Sequence, residues 1–476
     1  MPNKSSNVKN EKQYEKLKEK GMSKERAARI ANSPGASSRV GKKSGSGSSR
    51  ATPARAGRPP RRRPQAAREA ASDPSADAGR RLPRMRSETL TCRVGAGLSG
   101  ATRAGEAAAE AAREARESLG GADVDLAFVF LSAHHLDGAE EALDTAAREL
   151  GPAHLLGCVA QGVVGRKREL EQGPGIAIWA GALPGSRIET FHATAFETED
   201  GVAVGGVPPL EEADLVTLLV DPFTFPAAAF LAKLAEAEDE APPLVGGLAA
   251  GSGEPETQAL FLDGEVLTDG AVGAVLRDVS VRTVVSQGCA PVGSDSVITS
   301  AEENVVLELA GKPAVERLRD ELRTLTAEQQ RLAAQGGVLA GLVIDENRSE
   351  YRRGDYLMRG LLGADEDSGA LAIGEPVRVG QTLRFHVRDA RSADEDLRLG
   401  LAGALEGSAA AGALLFTCNG RGTNMFPAPD HDAQAVAKAL GGDAVGGFFC
   451  AGEIGPVGGK PFLHGFTATL AIFLSD

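Results

Sequence analysis

Leu126-Ala-Phe-Val-Phe-Leu131 is an unbroken apolar run, and Gly157-Cys-Val-Ala-Gln-Gly162 begins 31 residues after its first leucine. The same order returns twice. Leu215-Val-Thr-Leu-Leu-Val220 leads to Gly246-Gly-Leu-Ala-Ala-Gly251, again after 31 residues, and Leu414-Leu-Phe-Thr417 leads to Gly447-Phe-Phe-Cys-Ala-Gly452 after 33. A strand-like run, a polar loop, a helix-like stretch and a second apolar run fit the length of one βαβ unit. A period of this kind decides the fold before any single residue does. Near-continuous apolar strands are those buried on both faces. The reading is therefore a mixed α/β protein in which duplicated βαβ-type units form mixed sheets flanked by helices.

Around these units, Ala104 to Leu119 reads as an Ala-rich helix stopped at Gly120-Gly121, the usual place for glycine at a helix end. Asp137 to Leu150, Pro226 to Ala237 and Ala393 to Leu405 read as further helices, the last with a Ser392/Glu395 capping box. Ala301 to Leu325 reads as a helical stretch broken by Pro313. Ile176 to Leu183 and Ser186 to Phe196 read as a hairpin about Pro184-Gly185. Gly273 to Val285 and Pro376 to Val387 are expected strands. The organisation expected is a basic, mostly disordered tail over 1–92, one domain over 93–297 and another over 298–476.

Residues 1–92 carry 23 Lys and Arg against 8 Asp and Glu, a net +15, which leaves −28 for the rest of a chain of formal charge −13. Such asymmetry reads as a basic tail on an acidic globular body. Residues 33–84 are rich in Ser, Gly, Pro, Ala and Arg and lack the apolar content to offset ordering; residues 11–31 read as a short charged helix. The tail's function is either contact with nucleic acid or solvation alone, and Met85 is a candidate alternative start. No apolar run reaches membrane-span length, and no signal-peptide core is visible. Five dispersed cysteines, Cys92, Cys158, Cys289, Cys418 and Cys450, form no metal-type spacing. A cytoplasmic protein with free thiols is expected.

In a βαβ unit both strands point the same way, so the loop after the first strand and the glycine loop after the second share one edge. Ligands of open α/β sheets bind there. In the first unit this edge carries His134, His135 and Cys158. In the third it carries Asn419, Arg421, Cys450 and Glu453, with His464 close behind. Arg421 between two glycines can grip a carboxylate or phosphate, pair with Glu453, or do both. Cys158 and Cys450 are either buried hydrophobes or pocket-lining thiols. A histidine at a strand end more often caps than ligates. The phosphate-loop Lys-Ser/Thr, HExxH and a complete Gly-x-Ser-x-Gly elbow are all missing. A cysteine nucleophile, Cys450 with His464 or Cys158 with His134, stays open.

Phe416-Thr-Cys-Asn-Gly-Arg421-Gly, Ala444-Val-Gly-Gly-Phe-Phe449, Gly452-Glu-Ile-Gly-Pro456 and Leu463-His-Gly-Phe-Thr467 resemble the FIST family, named for F-box and intracellular signal transduction proteins. Phe130-Leu-Ser-Ala-His-His135, Ser286-Gln-Gly-Cys-Ala-Pro-Val-Gly293, Glu303-Asn304 and Gly311-Lys-Pro-Ala314 are similar to it as well. The resemblance runs from about residue 95 to the end. It implies FIST N and FIST C domains, a non-enzymatic small-ligand sensory role, and an amino acid or other small carboxylate as ligand. It also implies haem as an alternative cofactor, with His134, His464, Cys158 or Cys450 as axial ligand. With no output region attached, signalling would pass through a separate partner protein. Ala290 stands where relatives carry Arg, and Gln161 and Val163 stand where related loops are Gly-Glu-like, which leaves Glu453 as the acidic partner. Residues 12–41 separately resemble small uncharacterised actinobacterial proteins.

Overall fold

The three repeats are three parallel βαβ units. A computed structural model describes residues 91–199, 201–236 and 241–475, so the expected tail and its short helix lie outside the described residues. In the first unit, strand Leu126–Ser132 runs parallel to His154–Ala160 across helix Ala139–Leu150. Leu215–Val220 and Leu244–Leu248 flank helix Ala227–Glu236 in the second. Ala410–Cys418 and Val445–Cys450 flank helix His431–Leu440 in the third.

Each unit lies in its own sheet, bordered on both sides by antiparallel strands. Ile176–Ala182, Ala271–Arg277 and Thr467–Leu474 pair with the first strand of units one, two and three. The strand beside each second strand comes from elsewhere. The hairpin that leaves unit one, Val163–Leu170, joins the sheet of unit three. The hairpin that leaves unit two, Leu260–Leu267, joins the sheet of unit one. The hairpin that leaves unit three, Glu453–His464, joins the sheet of unit two. The units thus exchange hairpins in a ring, and each crossing starts at a Gly-x-x-x-x-Gly loop. A fourth sheet takes in strands from Cys289 to Arg388.

Glycine opens each of these loops for a steric reason. A Cβ at Gly157, Gly246 or Gly447 would lie inside the carbonyl oxygen of Val129, Leu218 or Leu415, its partner on the parallel strand. Helix Ala104–Leu119 uses the same economy of volume. Ala107, Ala108, Ala111, Ala112 and Ala115 are fully buried, and Gly95 and Gly97 face the carbonyls of Ala115 and Ala111. The inner faces of the three unit sheets share one core. Phe130 meets Phe448 with ring centroids 5.0 Å apart, and Trp179 meets Phe473 at 4.8 Å. Val245, Leu219 and Ala274 close it from the second sheet. Among the described residues no helix is long and apolar enough to cross a membrane.

Four local expectations are corrected. Ile176–Ala182 and Arg187–Thr198 are strands but do not pair; the chain passes between sheets at the turn. Gly273 to Val285 is split for the same reason, into Ala271–Arg277 and Val281–Gln287. The stretch from Ala301 is no helix until Ala314: Cys289–Glu302 and Val305–Leu309 form a hairpin buried against the fourth sheet's core, and Pro313 is the N-cap of Ala314–Thr324. The capping box expected at Ser392 is replaced by Asp389, which accepts from the backbone N–H groups of Arg391 and Ser392.

Candidate functional site

The three glycine loops meet at the C-terminal end of strand Val445–Cys450. Phe449 N–H donates to the Gly162 carbonyl at 3.0 Å, Leu248 N–H to Gly452 at 2.8 Å and Ala451 N–H to Leu248 at 3.1 Å. The loop after the unit's first strand is tied to the same edge, with Asn419 N–H donating to the Cys450 carbonyl at 2.9 Å. The expected juxtaposition of the two loops is therefore present.

Equivalent positions in the three units carry different chemistry. Counting from the register-paired glycines, Cys418 matches Ser132 and Asp221, and Arg421 matches His135 and Thr224. Ser132 Oγ accepts from Gly175 N–H, just as Cys418 Sγ accepts from Phe466 N–H at 3.3 Å. In the second unit the arrangement differs: Asp221 N–H donates to the Gly270 carbonyl at 3.0 Å, and Thr224 Oγ1 accepts from Gly270 N–H at 2.8 Å. Phe466 adopts φ +62 where the second unit has Gly270 at +83. A bulky residue held in that region marks stored backbone strain at the third site.

Arg421 is the centre of that site and has no solvent exposure. Its Nε and Nη2 donate to the two Asp432 carboxylate oxygens at 2.7 and 2.8 Å. Thr417 Oγ1 also donates to Asp432, and His431 lies between Asp432 and Asp394 at 3.0 Å from each. The expected Glu453 partner is thus corrected to Asp432, which opens helix His431–Leu440, where an acid also meets the helix dipole. Burial alone would push the Asp432 carboxyl up. The Arg421 charge and its hydrogen bonds outweigh burial and hold it well below the usual range.

Glu453 begins the hairpin given to the second sheet and is fully buried. Its Oε2 accepts from Thr467 N–H at 3.1 Å and Thr467 Oγ1 at 2.8 Å. Oε1 has no nitrogen or oxygen partner, and the weakly donating Cys418 thiol is its polar neighbour. Burial pushes this carboxyl up to about 8, more than Thr467 and Arg421 lower it. Arg421 Nη1 and Asn419 Oδ1 are likewise buried without partners. Gly288, in the Ser286–Cys289 segment, lies against Arg421 Nη1: a Cβ there would sit 3.2 Å from it. Arg388 stacks on Phe466 with its guanidinium 5.2 Å from the ring centroid and donates to the Gly420 carbonyl.

The structure thus joins Asn419, Arg421, Cys450 and Glu453. His464 is the cross-strand partner of Glu453, and its Nε2 is 3.0 Å from the Gly455 carbonyl; burial lowers its pKa to about 4, so the ring is neutral. Cys158 approaches Cys450 but from within the shared apolar core. His134 is exposed, and His135 is buried against the Ala101 carbonyl, with Nε2 unpartnered, in the first unit's own loop. Neither histidine joins the Arg421 cluster. Sequence reasoning missed Asp432 and Phe466, while the Cys418 to Asn424 loop was expected at this edge; the acid at a helix start in Asp430-His431-Asp432 was the available signal.

Three of the four haem-ligand candidates are occupied in packing or hydrogen bonding, and the fourth, His134, is exposed and outside the Arg421 cluster. His464 is committed to Gly455, Cys158 and Cys450 are close-packed, and a Cβ on Gly247 would already strike Cys450 Sγ. Among the described residues no group of three or more His, Cys, Asp and Glu is placed to hold a metal ion. Burial pushes the Cys289 thiol up to about 12 and raises Cys158, Cys418 and Cys450 well above the ordinary thiol value, the opposite of an activated nucleophile.

Comparison with known proteins agrees with this architecture. Residues 125–312 match the FIST N domain, 314–456 the FIST C domain, and 3–48 a family of unknown function. An uncharacterized protein of Mycobacterium tuberculosis is 43% identical over 389 residues, 80% of this chain and 100% of the relative. An uncharacterized protein of Mycobacterium bovis is 41% identical over 387 residues, 81% of this chain and 99% of the relative. The chain belongs to the FIST family, whose domains are in general small-ligand sensory modules of signalling rather than catalysts.

Proposed function

We propose that this protein is a non-enzymatic cytoplasmic sensor that binds one small polar molecule at the Arg421–Glu453 cluster and signals through a separate partner protein. The observation that carries this reading is the set of three buried, unpartnered polar atoms there, Arg421 Nη1, Asn419 Oδ1 and Glu453 Oε1. Buried polar groups normally find partners, and leaving one unpaired costs about 1–3 kcal/mol. A ligand that supplies those partners is stabilised by the same amount.

The electrostatics narrow its chemistry. Asp432 already neutralises Arg421, and burial favours a protonated Glu453 near neutral pH. The cluster offers one strong N–H donor, one amide acceptor and one carboxyl, with no surplus positive charge. That set suits a zwitterion such as an amino acid better than a dianion: its carboxylate would face Arg421 Nη1 and its ammonium Asn419 Oδ1. Phe466 and Arg388 pack at Gly420 beside the cluster, and Arg421 and Glu453 are fully buried, so binding requires side chains there to move. The expected sequence halves, 93–297 and 298–476, both supply residues around it, through Ser286–Cys289 on one side and Asn419 to Glu453 on the other.

A thermal-shift and calorimetric screen of the full chain against the amino acids and small carboxylic acids tests the reading. At a hundred times Kd a ligand adds about 2.7 kcal/mol to apparent stability. One amino acid is expected to stabilise the wild type and to lose that effect in Asn419→Ala. A screen in which no compound stabilises the protein sinks the proposal.

A further inference from the structure

A cleft of ≈ 730 Å3 whose lining shares no residue with the Arg421 cluster lies between helix Ala227–Glu236, the Glu453–His464 hairpin and the fourth-sheet strands Val338–Val343 and Tyr356–Asp365. Its volume is that of a pocket for a small organic molecule. The floor is apolar, formed by Leu231, Leu342, Leu357, Phe462 and Leu463. Charged side chains border it, and most are already matched. Arg359 donates to Glu375 at 2.5 Å, and Arg348 to Asp355 at 2.6 Å. Asp345 accepts from Asn347 and lies 3.8 Å from Arg348.

Two cations remain. Arg378 and Lys460 are exposed, line the cleft, and have no ion-pair partner among the described residues. Lys460 also acts on Asp345, whose Oδ1 accepts from Asn347 and whose Oδ2 lies 3.8 Å from Arg348. The globular region around them is acidic overall, with a net −28 over residues 93–476. An apolar floor beneath two unmatched cations is the complement of a molecule with an anionic head and an apolar body. Glu236 at the same rim opposes a doubly charged head.

We propose that this cleft binds an amphipathic monocarboxylate, with its head between Arg378 and Lys460 and its apolar body on Leu231, Phe462 and Leu463. The site is separate from the Arg421 cluster and does not depend on that cluster binding anything. The two are nevertheless joined by one strand. Lys460 starts the strand that ends at His464, and His464 is the cross-strand partner of Glu453. An occupant of the cleft therefore grips the hairpin that carries a wall of the buried cluster.

Isothermal titration of the full chain with decanoate, below its micelle concentration, tests the proposal, with decanol and acetate as comparators. Saturable binding of one decanoate per chain is expected. Decanol, which lacks the head charge, and acetate, which lacks the body, should each bind at least about tenfold more weakly, as should decanoate to Arg378→Gln/Lys460→Gln. Both replaced side chains are exposed, so far-ultraviolet dichroism should be unchanged in that variant. Glu453→Gln should keep decanoate binding, which separates this site from the buried one. Equal affinity of wild type and the double variant, equal affinity for decanol, or unsaturable uptake would each overturn the proposal.

Discussion

Arg421 and Asp432 are joined by two parallel hydrogen bonds of 2.7 and 2.8 Å, and both side chains are withdrawn from solvent. The pair fixes the loop after strand Ala410–Cys418 to the start of helix His431–Leu440. Removing one member of such a pair leaves the other charge buried and uncompensated, at a cost of about 3–5 kcal/mol. Asp432→Ala should therefore lower the urea midpoint strongly. Arg421→Met/Asp432→Leu removes both charges and should be less damaging than Asp432→Ala alone. Equal stability of wild type and Asp432→Ala would show that the pair does not hold the loop.

Glu453 gives the protein a pH dependence of defined sign. Its carboxyl is raised from 4.5 to about 8 in the folded chain, chiefly by burial, and that of Glu169 is also raised to about 8, by burial and the nearby Asp432. The folded state holds these protons more tightly than the unfolded state. Their contribution is complete below about pH 4.5 and is lost as pH rises through 8. His464 and His386 act on the acid side: burial lowers both from 6.5 to about 4, so stability falls as pH drops below 6.5. The window from 6.5 to 8 thus isolates the carboxyls. Unfolding free energy should decline across it, by at most about 1.4 kcal/mol per pH unit for each carboxyl, and Glu453→Gln should flatten the slope. An unchanged slope in that variant would mean Glu453 is not the group that titrates.

Much of the frame was legible because it is local or periodic. The three apolar runs, the glycines that follow them and the loops at their shared edge are short-range patterns, and the parallel pairing follows from them. The exchange of hairpins was not legible. Val163–Gly165 pairs with Gly446–Phe448, across most of the chain, and no local pattern names that partner. The segment from Ala301 to Leu309 misled because alternating charged and apolar residues suit an exposed helix and a half-buried hairpin alike; packing on the fourth sheet decided it. Arg421 was found through its flanking glycines. Pairing with Glu453 was one of its two expected roles, because the loops were compared only with one another, while Asp432 arrives from the crossover helix.

The thiols should behave as protected groups. Cys158, Cys289, Cys418 and Cys450 are buried, and burial also raises Cys92, which is only partly exposed, to about 11. Thiolate is the reactive form, so native alkylation should be slow at neutral pH. Iodoacetamide should modify at most Cys92 in the time that labels all five cysteines in urea, as read by intact mass. Selective rapid labelling of Cys418 or Cys450 in the native chain would return the nucleophile reading to contention.

The glycine that opens each loop is the residue on which the repeat depends sterically. At Gly447 a Cβ would overlap the Leu415 carbonyl oxygen, and both belong to paired strands at the centre of the third sheet, so neither can yield easily. Overpacking of this kind costs typically about 1–3 kcal/mol, and more where backbone rather than a flexible side chain is struck. Gly447→Ala should fall at or beyond the upper end of that range and weaken ligand binding at the Arg421 cluster, because Cys450 and Glu453 follow in the same turn of chain. Gly403, inside helix Ala390–Ala404, is the internal comparison. Nothing lies within 4 Å of where its methyl group would sit, so Gly403→Ala should be neutral or stabilising by up to about 1 kcal/mol through helix propensity. Urea unfolding of the two variants side by side decides the matter. If both shift the midpoint alike, the loop glycines are there for flexibility rather than for close approach of parallel strands.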